Sequence, residues 1–288
     1  LIFGITSYLP EDEHLRCKRL KGHRKQLEFF RKVLPDVPIY VVAQNYKDTD
    51  YTVDDKIHYL VFESGIGPAN ARNELLKLFY NSNEDFMYML DDDIVFYDYY
   101  NILEFFNELH VNPSKYYSLD VVFSKLAQRQ PFKKDNYEQP LNLDNWLFVD
   151  NQGMHSNSSI LLKNLKKHHN IEIYYNNLDV NKLEGHEDMD FNCMLRLAKL
   201  NIHTLQTLIT CAYNYDDSSI YKSHQDRVSL FKGNDEAIYR RYSNTNLFIN
   251  GRLNKGYKVK PIVIQRTTKI KLPDNLIPKY KQTTDTLF

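Results

Sequence analysis

Apolar and polar positions fall into blocks along the first hundred residues, and the blocks carry two different periods. Ile2 to Ile5 is a short apolar, β-rich run that ends at Thr6-Ser7-Tyr8-Leu9-Pro10. From Glu13 to Val33, Leu20, Leu27, Phe29, Phe30 and Val33 recur among many Lys and Arg, as on a surface helix, and Pro35 and Pro38 close it. Ile39-Tyr40-Val41-Val42-Ala43 is continuously apolar, the pattern of a strand buried on both faces. His58-Tyr59-Leu60-Val61-Phe62 predicts a third strand. Gly65-Ile66-Gly67-Pro68 then turns the chain into a helix over Ala69 to Tyr80, and Phe86-Met87-Tyr88-Met89-Leu90 predicts a fourth strand. Strands alternating with helices predict an α/β fold with a mostly parallel central sheet flanked by helices.

The second half is less regular. Ser118 to Phe123 and Trp146 to Val149 read as strands, separated by a polar stretch over Gln128 to Asn145. A turn at Gln152-Gly153 follows, and Ile160 to His168 reads as a short helix. Asp188 to Leu200 predicts a longer helix, with Phe191, Met194, Leu195, Leu197 and Ala198 on its apolar side. Beyond Tyr213 the chain turns polar, aromatic and basic. This predicts a main domain over residues 1–215 and an irregular basic extension over 216–288 that packs on it as a lid.

In parallel sheets, ligands bind at the carboxyl ends of the strands. Three polar clusters sit there: Thr6-Ser7-Tyr8, Gln44-Asn45 and Asp91-Asp92-Asp93. The triplet demands a reason, because clustered carboxylates repel unless cations or strong hydrogen bonds hold them. Hard cations such as Mn²⁺ or Mg²⁺ take oxygen ligands and bridge carboxylates to phosphates. A solvated acidic turn is the plain alternative. A second cluster, His186-Glu187-Asp188, opens the later helix. Its carboxylates either complement the helix dipole or point into a cleft as a general base.

Composition narrows the field. The 288 residues are 42% hydrophobic and 26% charged, ordinary for a soluble enzyme. No stretch approaches the ~18 apolar residues of a membrane span, and the opening reads as a strand, not a signal peptide. Three scattered cysteines, Cys17, Cys193 and Cys211, imply no disulfide framework and suit a reducing cytoplasm. Net charge is zero but uneven. From Lys222 onward there are 14 Lys and Arg against 5 Asp and Glu; the remainder has 23 against 32. The basic segment faces either something anionic or the acidic body of its own chain.

Taken in order, four segments resemble those of a GT-A fold glycosyltransferase of the family 2-like group. These are Ile5-Thr6-Ser7-Tyr8, Gly67-Pro68-Ala69-Asn70-Ala71-Arg72-Asn73, Met89-Leu90-Asp91-Asp92-Asp93, and Gly153-Met154 followed by Glu187-Asp188. They match the nucleotide loop, the "ARN" helix start, the DXD metal motif, and the acceptor loop with its "ED" motif. The resemblance implies an enzyme moving a sugar from a nucleotide-sugar donor, UDP-linked above all, with inversion at the anomeric carbon. It implies Asp91 on the ribose or the metal, Asp92 on the donor, Asp93 on Mn²⁺ or Mg²⁺, and Asp188 beside Glu187 as the base. Thr6, Ser7, Tyr8, Gln44, Asn45, Gly67, Arg72 and Asn73 would approach the donor. Lys222 and Arg227 would close over its diphosphate, and His224 is placed either as a further metal ligand or as an exposed loop residue. Trp146, Gly153, Met154 and His155 would line the acceptor side. Gln44-Asn45 departs from the aspartate pair with which many relatives read the base.

Basic residues interleaved with Tyr239, Tyr242, Phe248 and Tyr257 form a nucleic-acid footprint. Together with the resemblance, it implies as acceptor double-stranded DNA carrying hydroxymethylated bases, modified by a phage-type enzyme in the host cytoplasm. A surface polysaccharide or its lipid-linked carrier is the competing acceptor. A metal-dependent nucleotidyltransferase and a non-catalytic binding domain are the readings outside this class.

Overall fold

Most of the apolar runs become strands buried on both faces, the run at His58 to Phe62 becomes a half-exposed edge strand, and the amphipathic stretches become the helices that cover them. The computed structural model describes residues 1–96, 99–126, 145–150, 159–176, 187–212, 238, 240–242, 245, 248–249, 252–253 and 262–265. Four parallel strands form one half of the main sheet: β1 (Ile2–Tyr8), β2 (Ile39–Gln44), β3 (Ile57–Phe62) and β4 (Phe86–Asp91). They lie in the order β4-β1-β2-β3. Helix α1 (Glu13–Val33) links β1 to β2, and α2 (Pro68–Tyr80) links β3 to β4. Because each helix leaves from the carboxyl end of a parallel strand, both helix N-termini lie towards the carboxyl edge of the sheet.

The sheet continues beyond β4 with mixed direction. Short β5 (Ile94–Phe96) and helix α3 (Tyr99–Val111) precede β6 (Val121–Leu126) and β7 (Asn145–Asp150). Next come β8 (Ser159–Lys163), helices α4 (Leu165–His169) and α5 (Glu187–Leu197), and the long β9 (Ile202–Ala212). β8 lies antiparallel between β4 and β6. β9 runs parallel to β6 and antiparallel to β7. A hairpin, β10 (Phe248–Ile249) with β11 (Arg252–Leu253), stands apart, and β12 (Ile262–Gln265) joins the main sheet against β7.

One sequence expectation changes here. Ile160 to His168, read as a helix, is strand β8 followed by the one-turn α4. Ser159 to Lys163 is buried at every position, and such a run has no period that tells strand from helix. Asn164 makes the break. Its side chain accepts from Lys167 N and caps α4, while its Nδ2 donates to the carbonyls of Phe79, Ser82 and Glu84.

Two apolar layers sandwich the sheet. On one face Phe3, Phe30, Tyr88, Phe105 and Phe106 pack with α1 and α3. On the other, Leu75, Leu76, Phe79, Met87, Phe191 and Leu195 pack with α2 and α5. Among the described residues, no helix is long and apolar enough to cross a membrane.

Candidate active site

Register alone brings the three polar clusters together. Thr6 stands opposite Asp91, and Tyr8 opposite Gln44. Thr6 Oγ1 donates to Asp91 Oδ1 at 2.8 Å, and Ser7 Oγ donates to Asp92 Oδ2 at 2.6 Å. The backbone follows the side chains: Asp92 N donates to Thr6 O.

Arg72, on the first turns of α2, ties this edge to the second half of the chain. Its Nη2 reaches both carboxylate oxygens of Asp91 at 3.2 Å, and its Nη1 reaches Glu187 Oε1 at 2.7 Å and Asp188 Oδ1 at 3.1 Å. Arg72 is buried and lies 5.5 Å from the centroid of the Tyr175 ring, which itself stacks on Phe191 at 4.0 Å. Burial disfavours its charge, but Asp91, Asp188 and Glu187 outweigh that and hold the guanidinium ionised well above its ordinary range. Asn73 beside it is engaged differently: its side chain exchanges two hydrogen bonds with the backbone of Tyr175, at 2.7 and 2.8 Å. It fastens the segment that leads towards α5. The first turn of α5 is fixed from below, where Asp190 accepts from Asn176, Arg241 and Tyr242.

The three aspartates have three environments. For Asp91, burial raises the carboxyl pKa and Arg72 only partly offsets it. For Asp92, burial is outweighed by Arg19, and the pKa falls below the ordinary value. Asp93 has no ion-pair partner among the described residues; burial pushes its pKa up to about 7, with Asp91 and Asp92 adding to the effect and Arg19 opposing it. A half-buried carboxylate with no ion pair among the described residues is what a divalent cation would satisfy, so Asp93, with Asp91 nearby, fits the metal implied by the resemblance. Among the described residues no three His, Cys, Asp or Glu side chains form a metal-holding group. A Mg²⁺-type ion held through one or two carboxylates plus substrate phosphates does not require one.

Gln44 and Asn45 serve the backbone. Gln44 Oε1 accepts from Ile66 N at 2.9 Å and its Nε2 donates to Ser7 O at 3.4 Å; Asn45 Nδ2 donates to Leu9 O at 2.7 Å. They pin the loop before α2 to the end of β1. Gly65 lies against the Tyr8 ring so closely that a Cβ there would come within 3.2 Å of it, and Gly67 takes φ 83° to start α2. Trp146 lies on β7 opposite Ile264. Gly153, Met154, His155, Lys222, His224 and Arg227 lie outside the described residues.

The chain matches no protein-family profile and no curated protein. Among the solved structures that share its fold are two of one protein. S. aureus TarS 1-349 superposes with a TM-score of 0.52 at 14% identity, over 86% of this chain and 67% of that one. The same protein in complex with UDP-GlcNAc gives a TM-score of 0.53 at 16% identity, over 86% and 68%. The architecture is therefore GT-A-like, as the sequence resemblance implies.

Sequence reasoning missed three contributors, Arg19, Gln26 and Tyr175. The first two sit in a helix whose many basic residues read as solvated. Tyr175 follows an irregular segment that offers no period.

Proposed function

We propose that this protein is a glycosyltransferase that takes its sugar from a nucleotide-sugar donor. The observation that carries this is the meeting of Asp91, Glu187 and Asp188 on Arg72 at the carboxyl edge of a GT-A-like sheet. That a protein of this fold, TarS, is held in complex with UDP-GlcNAc supports the same class of donor here.

In this reading Asp188, whose side chain is 21% exposed, takes the proton of the acceptor hydroxyl. The acceptor oxygen forms the new bond to the anomeric carbon as the bond to the diphosphate breaks, and the nucleoside diphosphate leaves with the electron pair. Arg72 orients Asp188 through its ion pair, and Thr6 orients Asp91. Mn²⁺ or Mg²⁺ at Asp93, with Asp91 beside it, would supply charge stabilisation for the leaving diphosphate. Lys222 and Arg227 are proposed to close over the same group, and His224 to add a further metal ligand. Tyr8 is the proposed aromatic surface for the donor base.

For the acceptor, the basic, aromatic segment from Lys222 onward favours duplex DNA carrying hydroxymethylated bases; a surface polysaccharide suits the fold equally. The test is UDP release from UDP-GlcNAc with Mn²⁺. The unaltered protein should release UDP, and Asp188→Asn should lower the rate by about 10²-fold or more, with Asp93→Ala also inactive. Unchanged rates in both variants sink the assignment. Release accelerated by hydroxymethylated duplex DNA selects DNA as acceptor, and acceleration by an anionic polysaccharide alone rejects it.

A further inference from the structure

The three aspartates divide between two sides of the turn that carries them. Asp91 and Asp93 are partly exposed, while the Asp92 side chain is fully buried and points into α1. There Arg19 meets it along one edge: Nη2 to Oδ1 at 2.7 Å, and Nε to Oδ1 and Oδ2 at 3.2 and 3.0 Å. A hydrogen-bonded chain completes its shell. Since Ser7 Oγ donates to Asp92, the Tyr46 hydroxyl at 2.7 Å donates to Ser7.

Two turns further along α1, buried Gln26 holds the backbone of the same loop. Its Nε2 donates to Asp91 O at 3.1 Å and to Ile94 O at 2.9 Å, so one amide spans both ends of the triplet. Its Oε1 lies 3.3 Å from Nδ1 of His23. Burial lowers the His23 pKa; because an amide oxygen only accepts, Nδ1–H is the donor, and it fixes the amide's orientation. The face of α1 against the turn thus carries Arg19, His23 and Gln26 at spacings of four and three, one stripe of a helix.

We propose that Arg19 and Gln26 are positioning residues, which act through Asp92 and the backbone of residues 91–94 to hold Asp91 and Asp93 towards the crevice. Asp92 is on this account an anchor and not a donor contact. A guanidinium fork on a carboxylate fixes distance and plane together. Lys in its place would keep the charge and lose the plane.

The proposal rests on the reading of Asp93 as a cation ligand, and the experiment separates the two. Mn²⁺ binding in the presence of UDP is read from the electron paramagnetic resonance signal of free Mn²⁺, together with the melting temperature of each variant. Arg19→Met and Gln26→Leu should each weaken Mn²⁺ binding by about tenfold, and Arg19→Lys should recover part of the loss. Arg31→Met, which breaks the 2.9 Å pair with Asp54 at the far end of the same helix, should lower melting comparably and leave Mn²⁺ binding unchanged. Should Arg19→Met fail to fold, Gln26→Leu and Arg19→Lys carry the comparison. Variants that bind Mn²⁺ as the unaltered protein does, or an Arg31→Met loss as large as theirs, overturn the positioning role alone. No Mn²⁺ binding by the unaltered protein removes the cation reading and the proposal with it.

Discussion

Arg72 is one positive charge among three carboxylates, and its surroundings explain why it is tolerated in a nearly dry place. Breaking a buried ion pair by removing one partner costs about 3–5 kcal/mol, because the remaining charges keep their desolvation without compensation. Here removal strands Asp91, Glu187 and Asp188 together. Arg72→Met is therefore expected to lower the denaturation midpoint sharply at pH 7 and to recover part of that loss near pH 5, where the freed carboxylates take up protons. Urea titrations at the two pH values check this; an equal loss at both would mean that the carboxylates do not depend on Arg72. Nothing in the sequence marks Arg72 as the bridge. The spacing placed it near a helix start, but its partners at 187 and 188 lie 115 and 116 residues away.

At the level of elements, the start of α2 decides where Arg72 points. Gly67 sits at φ 83°, ψ 160° as the residue before the helix, a region open essentially to glycine alone and costly by about 1–3 kcal/mol for others. Gly67→Ala should destabilise the protein by about that amount and weaken binding of UDP with it, measured by chemical denaturation and by calorimetric titration. Destabilisation with intact UDP binding would show that the helix can start elsewhere without disturbing the crevice. The same scale shows what a sequence can and cannot tell. β1, β2 and β4 are legible because long apolar runs end abruptly in polar clusters, and α1 and α2 because proline and glycine punctuate them. β8 was not, since a run buried on both faces carries no period. The inward stripe on α1 was not, because Arg16, Arg19 and Gln26 are polar residues facing protein partners: Arg16 is 2% exposed, bonded to Asp50 and to the carbonyls of Pro10 and Asn45.

At the level of the molecule, the opposite edge of the sheet holds a separate set of charges that governs acid stability. Asp120 is buried with Lys163 and accepts from Asn201 N and His169; Asp85 accepts from Lys167, His168 and Tyr117. For both, burial raises the pKa, but these partners outweigh it and leave the folded value below the ordinary one. A depressed folded pKa contributes stability above the unfolded value of about 3.9 and loses it as pH falls through the folded value. Melting temperature should thus be flat in this contribution at neutral pH and fall steeply below about pH 4. Asp120→Asn should melt lower at pH 7, since Lys163 is left buried and unpaired, and should show a shallower acid slope. Circular dichroism melts from pH 2.5 to 7 distinguish this from a slope set by other carboxylates, which would leave the mutant parallel to the parent.

The position of β8 has a consequence in time. It is the strand between β4 and β6, yet it is made roughly 70 residues after β4. At a synthesis rate of about 5–20 residues per second, the edge of β4 waits on the order of 3–14 s for its neighbour. That edge belongs to Phe86-Met87-Tyr88-Met89-Leu90, all buried in the finished protein. A nascent chain halted in this interval offers an apolar strand to whatever it meets, so the newborn chain suits a chaperone that shields open sheet edges.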